Sequence, residues 1–344
     1  MINFALIQLT KKHTEIFGTF IEIILKNKWN LTIYCNLESD EYTFVKYYKS
    51  LFFKDLQIKH TSFLSNDTDI FDYFIFATAS DDNKIPDIFK KSELSNRCIY
   101  IQHQASQYKH FMLKNITVSP VIKSPDLSES NPEMILPIYK SYKKLHWKPS
   151  SKTTIFAVIG GIRCNPAGKV FDRNLDLITD LLNKYPDGDY EFWFFMRKWD
   201  WLGIIKKFKF LKEHPKIFGF AGLDTEELIK SLHRVKYILP LGKKKGWFYW
   251  ERLTGSIPLA INFNIPLILD KELAQIYGLE DYSFCYENNL IEIYDKIMEI
   301  NNDEYFKLIE NSVIYKKKKC RENEKNFINI CIKKIAKQSK IPSS

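Results

Sequence analysis

Four short segments hold residue types that could do chemistry, and each follows or borders an apolar run. The first reads Gly160-Gly161-Ile162-Arg163, with Lys169 and Arg173 further on. Adjacent glycines let an anion approach the backbone closely, and cations beside a helix start can neutralise a diphosphate. A Gly-Gly turn next to a solvated arginine fits the same letters. The second runs from Glu251 through Thr254-Gly255-Ser256-Ile257-Pro258. Ser256 is placed to be an N-cap, Pro258 suits a first helical turn, and Asn264 can end a short helix before Pro266. That start is equally a simple cap or an anion site. In the third, Asp224 precedes Glu227 by three residues, a capping box that structure alone explains. The fourth is Ile101-Gln102-His103-Gln104, with His13 as a rival in the loop after the first apolar run. Imidazole suits proton transfer near neutrality, although a lone histidine is as readily a surface or core residue.

Other patterns point away from metals and redox chemistry. Asp67-Thr-Asp69 and Asp187-Gly-Asp189 have metal-site spacing, yet both precede apolar runs, where turn chemistry accounts for them. The six cysteines show no Cys-x-x-Cys pair and no zinc spacing, so reduced thiols are expected and no metal site is assigned.

The elements that would position these residues follow from periodicity. Asn3–Gln8, Leu31–Cys35, Leu56–His60, Tyr73–Ala77, Cys98–Gln102, Ile116–Ser119 and Met134–Pro137 read as strands, with helices over Glu15–Leu25 and Tyr42–Phe53. A polar, basic stretch at Ser141–Lys152 separates this half from a second one. There the strands are Thr154–Ile159, Tyr190–Met196, Lys216–Phe220, Tyr237–Pro240 and Pro266–Leu269, and helices cover Arg173–Leu182 and Thr225–His233. Continuous apolar strands alternating with helices predict parallel sheets covered on both faces. The expected fold class is α/β, two Rossmann-like doubly wound domains facing a cleft, over residues 1–145 and 150–344. A terminal helix over about 303–340 could pack back on the first domain.

At 344 residues the chain exceeds what one core serves, and 45% hydrophobic residues suffice for two. The net charge of +10 favours anionic partners, but the lysines are dispersed and no nucleic-acid recognition motif occurs, so nucleic acid is not an expected partner. The run Lys316–Lys319 reads as a solvated helix face, with peripheral membrane contact through basic patches as the lesser alternative. No stretch approaches the roughly 18 apolar residues of a membrane span and Met1–Thr10 runs straight into a strand pattern, so a cytoplasmic protein is expected.

The run from Phe218 to Leu269 resembles the donor-binding half of GT-B glycosyltransferases. Gly222–Leu228 is similar to their "Gly-x-x-x-x-Glu-Leu" helix, Tyr237–Pro240 to a strand ending in Pro, and Ile265–Leu269 to "Pro-Leu-Ile"; with the Gly160-Gly161 loop the resemblance covers roughly residues 154–285. It implies a glycosyltransferase that takes a UDP- or GDP-sugar as co-substrate, needs no cofactor or metal, and serves a glycan, lipid or protein acceptor. Arg163 and one of Lys169 or Arg173 would grip the diphosphate beside Gly160 and Gly161, while the turn Thr254-Gly255-Ser256 would present backbone NH groups to the distal phosphate. Retaining members carry two Glu with seven residues between them. Matching Ile265-Pro266 to the family's "Val-Pro" makes Glu251 the first of them, with Leu259 in place of the second; matching Ile257-Pro258 makes it the second, with Lys243 in place of the first. The former keeps the strand start at Pro266 and is preferred. With one Glu in either register, retention and inversion both stay open. His103 would contact the donor sugar or assist the acceptor, with His13 as its rival. The alternatives are a catalytically degenerate nucleotide-sugar or glycan-binding protein, and a metal-dependent GT-A transferase using an Asp-x-Asp pair.

Overall fold

The computed structural model describes residues 1–9, 16–36, 47–48, 51, 56–77, 85–102, 116–117, 133–139, 153–162, 172–242 and 255–338. The chain divides into two compact units. The first contains β1 (Asn3–Ile7), α1 (Phe17–Lys26), β2 (Asn30–Cys35), β3 (Gln57–His60), β4 (Tyr73–Phe76), β5 (Cys98–Gln102), β6 (Ile116–Thr117) and β7 (Glu133–Met134). All pairings are parallel, in the order β3-β2-β1-β4-β5-β6-β7. Strand order therefore reverses between β1 and β4, the switch point of a doubly wound sheet. The central strands β1 and β4 are apolar on both sides because both faces are covered. Leu6, Ile33, Ile75 and Ile99 meet α1 on one face, whereas Phe74, Phe76, Phe89 and Tyr100 form an aromatic layer on the other.

The second unit contains β8 (Thr154–Ile159), α2 (Asp176–Lys184), β9 (Tyr190–Met196), α3 (Lys198–Lys207), β10 (Ile217–Ala221), α4 (Thr225–Leu232), β11 (Tyr237–Ile238), α5 (Ser256–Phe263), β12 (Leu267–Asp270), α6 (Lys271–Tyr277) and β13 (Ser283–Tyr286). Its parallel sheet runs β10-β9-β8-β11-β12-β13, so the order reverses between β8 and β11. Local chemistry fixes the helix ends. Asp224 accepts from the Glu227 N–H at 2.8 Å while the Glu227 carboxylate accepts from the Asp224 N–H at 2.9 Å, closing the capping box that starts α4. Asn264, at φ 54°, ends α5 in the left-handed conformation, and the next N–H, of Ile265, reaches back to the Ala260 carbonyl.

One long helix, α7 (Asn302–Gln338), contributes to both units. Up to Lys316 it belongs to the second, where Tyr305 donates to the Lys236 carbonyl and Tyr315 to that of Tyr277. The buried Lys316 ammonium donates to the Asn262 carbonyl at 2.8 Å, a cation on the carbonyl-rich end of α5. From Lys317 onward α7 belongs to the first unit. There the buried Asn323 amide bonds both the N–H and the C=O of Leu136, and Phe327 lies 5.7 Å from each of Phe4 and Phe20. The basic run Lys316–Lys319 is thus not one solvated face: Lys316 is buried, Lys317 and Lys318 are exposed, and Lys319 pairs with Glu322. No described helix is long and apolar enough to cross a membrane.

Candidate functional site

In a doubly wound sheet the loops beyond the carboxyl ends of the strands converge at the switch point, where a ligand has room. In the second unit that point lies between β8 and β11. Gly160 follows β8 at φ +91°, a conformation open to glycine, with its N–H held by the Phe195 carbonyl at 2.8 Å. A Cβ there would also come within 3.1 Å of the Arg173 guanidinium.

Arg173 stands at the switch point itself. Nη2 donates to the Ile159 carbonyl at 2.7 Å and Nη1 to the Pro240 carbonyl at 3.0 Å, so one guanidinium ties the ends of the two flanking strands. The sequence reading began a helix at this residue, and the structure corrects it: α2 starts at Asp176, and Arg173 forms an antiparallel bridge with Gly242. The bridge needs extended backbone at Arg173, which helical dihedrals exclude. Next to it Leu241 has φ +57°, unusual for a branched side chain. Its burial in the core and the Asn174 N–H on its carbonyl hold it there.

The start of α5 reaches the same edge, because a helix joining the parallel neighbours β11 and β12 must begin at the carboxyl end of β11. Ser256 was expected as its N-cap, and this too is corrected. The cap is Gly255, at φ −58° and ψ −21°, with no side-chain hydrogen bond; Ser256 is the first helical residue and is buried. A hydroxyl inside the helix no longer sits where it can accept from the N–H groups a turn ahead. Pro258 removes one of the orphan donors, and Gly255, as the cap residue, has no side chain to accept from the others.

Sequence reasoning missed Asp200. It lies in the first turn of α3, and its carboxylate packs on Gly161 so closely that a Cβ there would be 2.8 Å from it. Among the described residues Asp200 has no hydrogen-bond or ion-pair partner. The signal was present in Arg197-Lys198-Trp199-Asp200, directly after β9, a strand-to-helix junction without glycine or histidine to draw attention.

Gly160, Gly161, Arg173, Gly255 and Ser256 thus all lie on the carboxyl edge of one sheet. Arg163, Lys169, Glu251, Thr254, His13 and His103 lie outside the described residues. One acid of each Asp-x-Asp pair has a local partner. The Asp67 carboxylate accepts from Lys59 at 2.7 Å and from the Tyr34 hydroxyl, which holds it below the usual carboxylate range, Lys59 contributing most. Asp189 accepts from the Thr153 hydroxyl at 2.7 Å. A groove of about 360 Å³ in the first unit, between α1 and the middle of α7, has the paired Lys26 and Glu324 among its lining residues and no glycine.

No family model matches the sequence, and no curated protein matches it. Solved structures match nearly the whole chain in shape. Anabaena HepE in complex with UDP and glucose gives a TM-score of 0.62 at 9% identity, over 99% of this chain and 100% of that one. The DNA-modifying beta-glucosyltransferase, solved with and without uridine diphosphoglucose, gives 0.54 at 13% identity, over 96% and 99%. The lipopolysaccharide outer core galactosyltransferase WaaB gives 0.53 at 12% identity, over 97% and 100%. The chain has the GT-B fold, two doubly wound α/β units.

Proposed function

We propose that this protein is a glycosyltransferase that moves a sugar from a nucleoside diphosphate sugar, UDP- or GDP-linked, to a glycan, lipid or protein acceptor without a metal ion. The observation that carries the proposal is the switch point of the second sheet, where two glycines, an arginine and a helix start without a side-chain cap occupy one edge of a GT-B fold. Similarity to structures that hold UDP, glucose or UDP-glucose supports a UDP-sugar over other donors.

In the transfer the acceptor oxygen bonds to the anomeric carbon as the bond from that carbon to the diphosphate breaks. Negative charge grows on the departing phosphate, so fixed donors and cations beside it lower the barrier. Arg163 and Lys169 are the direct ligands in this scheme, because two donors of Arg173 are already committed to backbone carbonyls. In this scheme the turn Thr254-Gly255-Ser256 presents backbone N–H groups to the distal phosphate, Glu251 contacts the donor sugar, and His103, or His13 in its stead, takes the acceptor proton.

The test is a thermal-shift panel of UDP, GDP and their sugars, followed by assay of donor hydrolysis and transfer with EDTA present. A ligand at a hundred times its dissociation constant stabilises by about 2.7 kcal/mol, well within detection. Stabilisation by UDP and turnover in EDTA are expected. Failure of every nucleotide to stabilise would remove the donor assignment. Binding without turnover would leave a nucleotide-sugar-binding protein, and loss of turnover on chelation would overturn metal independence.

A further inference from the structure

The outer face of α3 has a composition that the proposed transfer chemistry does not use. At 100° per residue, Lys198, Leu202, Lys206, Trp199, Gly203 and Lys207 share one arc of the helix, and all six are exposed. Trp201, Ile204, Ile205 and Phe208 share the opposite arc, in or against the core of the second unit. Core packing therefore explains only the inner arc. On the outer one Trp199 is 82% exposed and Leu202 37% exposed, side by side at i and i+3, with lysines on both flanks. An exposed tryptophan costs hydration free energy that a folded monomer ordinarily avoids by burial.

The surrounding charge identifies what would cover this face. Between Arg197 and Lys216 the chain has seven Lys and Arg against two acids, Asp200 and Glu213, in a molecule whose whole net charge is +10. Lys209 and Lys212, just beyond α3, are exposed as well. An apolar centre of Trp and Leu ringed by lysines complements a bilayer surface: the indole and the leucine enter the headgroup boundary, and the ammonium groups stay among anionic phosphates. Double-stranded nucleic acid would satisfy the lysines but leave Leu202 against a polar backbone.

We propose that the outer face of α3 is a docking surface for an anionic lipid bilayer. The proposal does not depend on the transferase function.

Co-sedimentation of the full chain with vesicles tests it. The protein is expected to bind vesicles of phosphatidylcholine containing roughly one-third phosphatidylglycerol, and to bind phosphatidylcholine alone far more weakly. Each lysine near an anionic surface is worth about fivefold in affinity, so the combined Lys198→Gln, Lys206→Gln and Lys207→Gln variant should lose about a hundredfold. Trp199→Ala should lose about tenfold or more, with unchanged melting because the side chain is exposed. The proposal is overturned if the anionic vesicles fail to bind, or if the lysine and tryptophan variants bind them as the parent does. It is overturned also if the chain retains duplex DNA but not vesicles, or if Trp199→Ala converts a stable dimer into monomer. In the last case a second copy is what covers the face.

Discussion

At Arg173 a single side chain joins the ends of the two strands that flank the switch point, a structural tie that the sequence, which offers Arg173 as an alternative to Lys169 beside the diphosphate, does not reveal. Replacing Arg173 by Met removes two charged-donor hydrogen bonds to partly buried carbonyls, each worth about 1.5 to 3 kcal/mol. The expected result is a clear drop in the denaturation midpoint, together with weaker nucleotide binding as the Gly160 loop loosens. Arg163→Ala should instead weaken nucleoside diphosphate binding by roughly ten- to a hundredfold at an unchanged midpoint. Titration calorimetry alongside urea unfolding separates the two, and a reversed pattern would exchange their roles. Asp67 provides a pH-dependent contrast. Hydrogen bonds from Lys59 and then Tyr34 hold its folded pKa below the ordinary value of about 4, so its stabilisation is complete above that value and disappears as pH falls through the folded one. Asp67→Asn should therefore cost up to about 1 kcal/mol at neutral pH, and the gap to the parent should close as pH falls through the lowered folded pKa. Melting curves across that range decide it; a gap that persists at low pH would mean the carboxylate charge is irrelevant. Transfer activity of Asp67→Asn should match the parent, whereas a metal-binding Asp-x-Asp pair would abolish it.

At the scale of elements, α4 and α5 treat the same problem in opposite ways. Asp224 and Glu227 cap the start of α4 reciprocally, and Asp224→Ala should cost about 1 kcal/mol in unfolding free energy. The start of α5 has no side-chain cap, and a Cβ at Gly255 would meet nothing within 4 Å. Gly255→Asp therefore has room to place a carboxylate before the helix. It should raise or preserve the melting temperature while weakening UDP binding more than tenfold, because the new anion occupies the position assigned to the phosphate. Unaltered UDP affinity in that variant would remove the α5 start from the donor site. Much of this was legible beforehand, since capping boxes and left-handed asparagines are local signals spanning three or four residues. The Ser256 cap was misread because serine, glycine and proline together allow two starts one residue apart, and only packing chooses between them.

At the scale of the molecule, α7 is shared by both units, and its second half supplies part of the core of the first. Phe327 is wholly buried among Phe4, Phe20 and Trp29, so Phe327→Ala should cost about 3 to 5 kcal/mol, read by calorimetry as a lower transition for the first unit. An unchanged calorimetric trace would mean that the first unit's core does not depend on α7. The alternation of apolar runs with amphipathic stretches made both doubly wound sheets predictable, because strands buried on two faces must be apolar throughout and the crossovers between them must be helical. Strand extents such as Thr154–Ile159 and Tyr190–Met196, the box at Asp224 and the helix end at Asn264 follow from neighbours a few residues apart. Those were the sequence's to determine. The carbonyls that Arg173 reaches lie 14 and 67 residues away, the carboxylate against Gly161 comes from the helix that follows another strand, and Trp199 is left facing solvent by the packing of its helix's opposite arc. Such juxtapositions depend on which strands become neighbours. That is set by the free energy of the whole core, and no local pattern of residues records it.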